Sequence, residues 1–152
     1  MLTKTVKSTL VKCVEVLEDA SDPWWVFGSV AMALHGVSPG QINDIDILVS
    51  IKDIHLLRNR LGCANEADGG TELFRSEVIL RPDVGHITVE IMAGFEVCKE
   101  GVWYSFRPKT QVPIIYGGAT VFVPERRELA KIFKWFGRKK DIEKLRLLEE
   151  FM

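Results

Sequence analysis

The sequence predicts an α+β fold. Apolar residues recur at helical spacing at both ends of the chain, short β-branched and aromatic runs fill the middle, and no repeat or Ser/Gly linker divides them. At the amino end Val6, Leu10, Cys13, Val14 and Leu17 recur at three- and four-residue steps, which predicts a helix over residues 5–17 with one buried face. Residues 19–23 end it, and Trp24, Trp25, Val26 and Phe27 follow as a buried strand that stops at Gly28 and Ser29. Ser29 suits the N-cap of a second helix, with Val30 to Leu34 as its body and Gly36 as its C-terminal cap. After a turn at Ser38, Pro39 and Gly40, residues 43–49 alternate acidic and aliphatic side chains and then become wholly apolar, the pattern of a strand with one wet end.

Residues 53–61 predict a helix capped by Asp53 and closed by Gly62, and residues 64–70 a polar loop. Two runs, 73–80 and 86–92, predict a hairpin turning around Pro82, Asp83 and Gly85. Further short strands follow between residues 95 and 124, including one over 120–123. Pro124 then opens a helical tail. Leu129, Ile132, Phe133 and Phe136 form its first apolar stripe, and after Gly137 a second helix carries Ile142, Leu145, Leu148 and Phe151. The expected organisation is one domain over residues 1–152, with a core over about 24–92 and the tail over about 125–151.

Composition narrows the function. A chain of 152 residues with 47% apolar side chains can build a core without disulfides or a structural metal. A net charge of −1 excludes a protein that coats nucleic acid by bulk electrostatics. That balance hides a polarity, because residues 125–152 hold 9 basic and 6 acidic residues against 11 and 15 in residues 1–124. Cys13, Cys63 and Cys98 are odd in number, widely separated and outside any metal-binding cluster, so they predict reduced thiols in a cytoplasmic protein. The lysine-studded amino end does not form a signal peptide, and no run of 18 apolar residues predicts a membrane span.

Two features together carry chemistry. A Gly-Ser step between strand and helix presents backbone N–H groups and a hydroxyl where a phosphate is favoured. On the next strand, Asp44 and Asp46 stand at i and i+2 and so share a face, and two carboxylates this close stay ionised cheaply only around a cation. A hard, oxygen-seeking ion such as Mg²⁺ suits them. Glu90 sits between Val89 and Ile91 in a predicted strand, an awkward place for a charge unless it faces a metal or a positive partner. If its strand lies beside the first, three carboxylates converge, enough for two divalent ions, and Glu90 is also placed to take a proton from an attacking hydroxyl.

Phe27-Gly28-Ser29, Asp44-Ile45-Asp46-Ile47 and Val89-Glu90-Ile91 together resemble the signature of the nucleotidyltransferase superfamily. That fold is shared by DNA polymerase beta, the kanamycin and lincosamide nucleotidyltransferases and the minimal nucleotidyltransferases of prokaryotes. The resemblance covers about residues 24–92. It implies a polymerase-beta-palm-like fold with a small mixed sheet, flanking helices and a helical tail closing over the cleft. It further implies that Gly28 and Ser29 hold a nucleoside triphosphate, that Asp44 and Asp46 bind metal, and that Glu90 stands where the family commonly has Asp. The tail, with Lys131, Lys134, Arg138, Lys140 and Asp141, is similar to the C-terminal stretch of antibiotic nucleotidyltransferase-like proteins and abortive-infection toxins. There a helix lysine and an R-x-K-D step line the nucleotide site. Lys140 and Asp141 match that step, and either Lys134 or Lys131 matches the lysine.

The expected activity is therefore Mg²⁺-dependent transfer of a nucleoside monophosphate from an NTP to a hydroxyl, with release of pyrophosphate. The acceptor is a small molecule, a protein or RNA. With no second domain expected, part of the acceptor site falls to the tail, a second copy or a partner protein. The competing expectation is a catalytically silent nucleotide-binding or protein-interaction module, one half of a toxin–antitoxin pair. Arg75 and Arg81 read as surface arginines, the four tryptophans as core, and His35, His55 and His86 as bystanders.

Overall fold

The computed structural model describes residues 2–152. Helix α1 (Lys4–Leu17) is capped by Thr3, whose side chain accepts the Val6 N–H, and buries Val6, Leu10, Cys13, Val14 and Leu17 as its spacing predicts. Strand β1 (Trp25–Phe27) runs straight into α2 (Gly28–Leu34), which is followed by β2 (Asp44–Leu48) and α3 (Ile51–Leu61). Then come β3 (Phe74–Arg75), β4 (Val78–Leu80), β5 (Thr88–Ala93), β6 (Glu96–Lys99), β7 (Val102–Ser105), β8 (Val112–Tyr116) and β9 (Ala119–Val123). Helices α4 (Arg126–Phe136) and α5 (Lys139–Glu149) close the chain.

The central sheet has the order β1-β2-β5-β4. Its middle pair, β2 and β5, is parallel, and both flanking pairs are antiparallel, so the sheet is mixed as expected. A second sheet, β3-β6-β7, and the β8-β9 hairpin complete the strands. Side chains alternate across the central sheet with period two. Val26, Ile45, Ile47, Val89, Ile91 and Ala93 enter the main core with α1, α2 and the inner face of α4. Their neighbours point the other way. Trp25, Phe27, Leu48 and Met92 join Phe95, Val97, Ile132 and Phe136 in a second apolar cluster, and the acids of β2 and β5 share that face of the sheet. The sequence pattern of β2, aliphatic alternating with acidic, thus divides one strand between a core and a cleft.

Four local expectations are corrected. Ser29 lies inside the first turn of α2 rather than at its N-cap; that position belongs to Phe27, which makes no side-chain cap bond, because Gly28 at φ +69° turns the chain directly from strand into helix. Ser50, not Asp53, caps α3. Asp53 is buried in the first turn, where its two oxygens accept the N–H groups of Ser21 and Asp22 at 2.9 Å each and tie the segment between α1 and β1 to α3. The predicted strand 73–80 is two strands, since β3 pairs with β6 while β4 pairs with β5. In the tail, Leu148 is buried but Ile142 and Phe151 are exposed, so the second apolar stripe is narrower than its spacing suggests. Of the tryptophans, Trp24 and Trp25 are core, whereas Trp103 and Trp135 are half-buried. No helix among the described residues is long and apolar enough to cross a membrane.

Candidate functional site

The site forms where β1, β2 and β5 present their second face. Register places Asp46 opposite Phe27 on one side and opposite Glu90 on the other, with Asp44 two residues upstream. One carboxylate oxygen from each of Asp44, Asp46 and Glu90 lies within 4.8 Å of the other two. Gly28 closes the ring of groups, since a Cβ there would stand 3.4 Å from Asp46 Oδ2. The positive φ of +69° is what calls for glycine here.

A cavity of about 350 Å³ opens over these acids. Gly28, Ser29, Asp44, Asp46 and Glu90 form one wall, and Arg138, Lys140, Asp141 and Lys144 of the tail form the facing one. Phe27, Phe74, Met92, Phe95 and Phe136 supply an apolar side. The aromatic rings pack edge-on or tilted, Phe74 to Phe136 at 4.7 Å and Phe95 to Phe136 at 6.2 Å between centroids. The cleft therefore mixes charged and aromatic lining, a chemistry that suits a polar phosphate chain attached to a flat ring.

Electrostatics follow from this crowding. Burial, reinforced by the charges of Asp44 and Glu90, pushes the Asp46 carboxyl up from 3.8 to about 7, while Lys144 and Lys140 pull it back. Burial also lowers the Lys144 ammonium below its ordinary value, against the pull of Asp141 and Asp46. The acids and lysines are a coupled set. Three hard oxygen donors without a nitrogen or sulfur ligand fit Mg²⁺ or a similar ion.

The sequence missed two participants. Arg81, read as a surface arginine, donates from Nε and Nη2 to Glu90 Oε2 at 3.0 and 2.7 Å and reaches Glu66 at 3.5 Å. These bonds hold its guanidinium firmly protonated, above its ordinary pKa. Arg81 stands next in the chain to Leu80, which pairs with Ile91, so the turn of the β4–β5 hairpin carries it back over Glu90. Nothing in the sequence spacing alone reveals that. Lys144 was also missed, although it stands four residues beyond Lys140 and so on the same helix face, a signal the sequence did contain.

Two predicted residues end up elsewhere. Lys134 and Lys131 line a separate hollow with Lys99, Glu100, Tyr104 and Trp135, because the opposite face of α4 is the one packed into the core. Asp141 reaches the cavity wall but is fully buried, and it accepts Arg138 Nε at 2.6 Å, Arg138 Nη2 at 2.9 Å and the Arg138 N–H at 3.2 Å. Its carboxylate caps the start of α5 by accepting the Arg138 N–H and aims the Arg138 guanidinium, which lies 4.7 Å from the centre of the Phe74 ring. Replacing Asp141 by alanine is expected to cost about 2–3 kcal/mol of stability, measured by urea unfolding, since it strips charged hydrogen bonds and a helix cap at once.

No protein-family model matches the sequence, and no curated protein does. Solved structures do. A candidate nucleotidyltransferase from Thermotoga maritima superposes with a TM-score of 0.69 at 24% identity, over 94% of this chain and 91% of that one. The lincosamide antibiotic adenylyltransferase LnuA, solved with lincomycin bound, gives 0.65 at 13% identity, over 99% of this chain and 100% of that one. ANT(2″)-Ia in complex with adenylyl-2″-tobramycin gives 0.56 at 16% identity, over 95% and 88%. Identities this low speak to architecture, and with the mixed sheet, the β2 acids and the tail over the cleft they show that this chain has the nucleotidyltransferase fold.

Proposed function

We propose that the protein is a cytoplasmic nucleotidyltransferase that moves a nucleoside monophosphate from an NTP to a hydroxyl acceptor. The observation that carries this reading is the cavity itself, in which three converging carboxylates face Arg138, Lys140 and Lys144 across a space bounded by the Gly28–Ser29 turn. Carboxylates alone are common on surfaces. Opposed to a cationic wall in one cleft, they suit a ligand that is itself a metal-bound polyanion.

The residues divide the work. Gly28 leaves room for a phosphate beside the backbone, and the Ser29 hydroxyl borders the same space. Asp44 and Asp46 hold Mg²⁺, with Glu90 as the third donor, and the bound ion supplies Lewis-acid stabilisation of charge on the phosphates. Lys140, Lys144 and Arg138 offset the negative charge that grows on the departing pyrophosphate. The acceptor oxygen forms its bond to the α-phosphorus as the bond from that phosphorus to the bridging oxygen breaks. The hydroxyl proton passes to a carboxylate of the cluster. Arg81 donates two hydrogen bonds to Glu90 Oε2 and so fixes the orientation of that carboxylate.

Purified protein incubated with Mg²⁺, cell lysate and each of labelled ATP, GTP, CTP and UTP tests the reading. Label transferred to an acceptor supports it. Nucleotide bound without transfer supports the silent module instead. Calorimetry on the Asp44→Asn/Asp46→Asn protein is expected to show Mg²⁺-dependent NTP binding abolished with the fold retained; unchanged affinity would remove these residues from the site.

A further inference from the structure

Three neighbouring cations lie outside the cleft that holds Arg138, Lys140 and Lys144. Lys131 and Lys134 of α4 and Lys99 of β6 face an open hollow of about 670 Å³ together with Tyr104, Trp135 and Glu100. Three cations against one acid leave the hollow positive, in a protein whose net charge is −1. Among the described residues none of the three lysines enters an ion pair.

The wall between the cations is aromatic. Tyr104 is 48% exposed, and its ring meets Trp135 at 6.2 Å between centroids, with Phe106 behind Trp135 at 5.6 Å. The two concavities share no lining residue but border consecutive residues of α4. Trp135 lines the hollow and the next residue, Phe136, lines the cleft, while Lys99 Nζ donates to the Phe136 carbonyl at 3.2 Å and is held at that junction.

Cations interleaved with exposed rings recognise phosphates and unstacked bases together. An acidic peptide or free phosphate would use the lysines and leave the rings idle, and a duplex keeps its bases stacked away from them. We propose that this hollow binds a single-stranded polynucleotide and leads its terminal hydroxyl into the cleft as the acceptor. The second half rests on the nucleotidyl-transfer reading. In that step the terminal oxygen gains the α-phosphorus, pyrophosphate leaves, and the proton goes to a cleft carboxylate.

Fluorescence anisotropy with labelled 12-residue oligouridylate and oligodeoxythymidylate tests the binding, using the full-length Asp44→Asn/Asp46→Asn protein without Mg²⁺ or NTP. Three lysine–phosphate contacts predict a log–log salt slope of about −2, falling to about −0.7 in Lys131→Ala/Lys134→Ala, with at least a tenfold loss of affinity at low salt. Tyr104→Ala, at an exposed position, is expected to weaken binding several-fold and leave the slope alone. A preference for the RNA strand assigns a role to the ribose hydroxyl, and equal binding assigns recognition to backbone and bases alone; either supports the hollow. No binding, or binding indifferent to the lysine pair, overturns it. NTP binding by Lys131→Ala/Lys134→Ala, measured separately with Mg²⁺, stays at the wild-type level, so failure of the hollow is distinguishable from failure of the nucleotide site. Label passing from NTP to a protein or small molecule, with none to either oligonucleotide, overturns the acceptor assignment.

Discussion

Asp46→Asn is expected to stabilise the metal-free protein at pH 8 while abolishing Mg²⁺-dependent nucleotide binding. The Asp46 carboxyl titrates at about 7 in the fold against 3.8 for the free side chain, because burial and the charges of Asp44 and Glu90 disfavour its ionised form. A group whose pKa is raised by folding contributes its full stability below the unfolded value and loses it as pH climbs through the folded one. Wild-type stability therefore declines between about pH 4 and pH 7. At 1.36 kcal/mol per unit the whole difference is about 4 kcal/mol, and relaxation and water entry bring it to roughly 2–3. Asparagine has the same shape and no charge, so the variant escapes the loss. Thermal unfolding without metal should show the variant about 5–10 °C above wild type at pH 8 and level with it at pH 4. Adding Mg²⁺ at pH 8 should raise the wild type and not the variant. Equal melting temperatures at both pH values would mean that Asp46 is not under electrostatic strain.

How much of this site the sequence displays depends on how locally each residue's position is set. Asp44, Asp46, Gly28 and Ser29 are legible because strand periodicity and a strand-to-helix turn are properties of a few adjacent residues. Glu90 is legible as an anomaly, an acid between two aliphatics, but its pairing with Asp46 is a register across 44 residues that only the parallel β2–β5 ladder reveals. Arg81 defeats local reading altogether. Its neighbours are a strand end and a proline, and its meaning comes from a hairpin that folds it over Glu90. The placement of Lys134 away from the cleft has another origin. On α4 the apolar stripe dictates which face is buried, and Lys134 and Lys131 lie opposite it, so the stripe that identified the helix also excluded those lysines from the cleft. The same reasoning applied to α5 points to Lys140 and Lys144, one turn apart.

The Arg81–Glu90 pair alters how the acids share their task. Two donors on one oxygen of Glu90 leave its other oxygen for a metal, while the guanidinium absorbs part of the cluster's charge. Asp46 has no comparable partner, and burial with its acidic neighbours displaces its carboxyl strongly upward. Asp46 and the lysines that lower its titration thus share one electrostatic balance.

Lys144→Met should consequently lose more than one contact. Lys144 is half-buried, its ammonium stands 5.7 Å from the centre of the Phe133 ring, and its pKa is lowered by burial, so it is a poorly hydrated cation held against the acids. Removing it takes a cation from the triphosphate and also lifts the Asp46 titration further, because Lys144 is the first of the charges that lower it. Both effects weaken Mg²⁺-nucleotide binding at neutral pH, and a loss of roughly 10- to 100-fold is expected, the range for a desolvated charge contact of about 1.5–3 kcal/mol. They separate by pH. The triphosphate contact is lost at every pH at which wild-type Lys144 is charged, whereas the Asp46 effect disappears once that carboxyl is ionised in both proteins. Affinity measured from pH 6 to pH 9 should therefore show the acidic limb of the variant displaced upward, above a residual deficit that persists at pH 9. Lys134→Met, facing the other hollow, should match the wild type throughout. A deficit in Lys134→Met equal to that in Lys144→Met would return the triphosphate to α4 and refute the cationic wall described for α5.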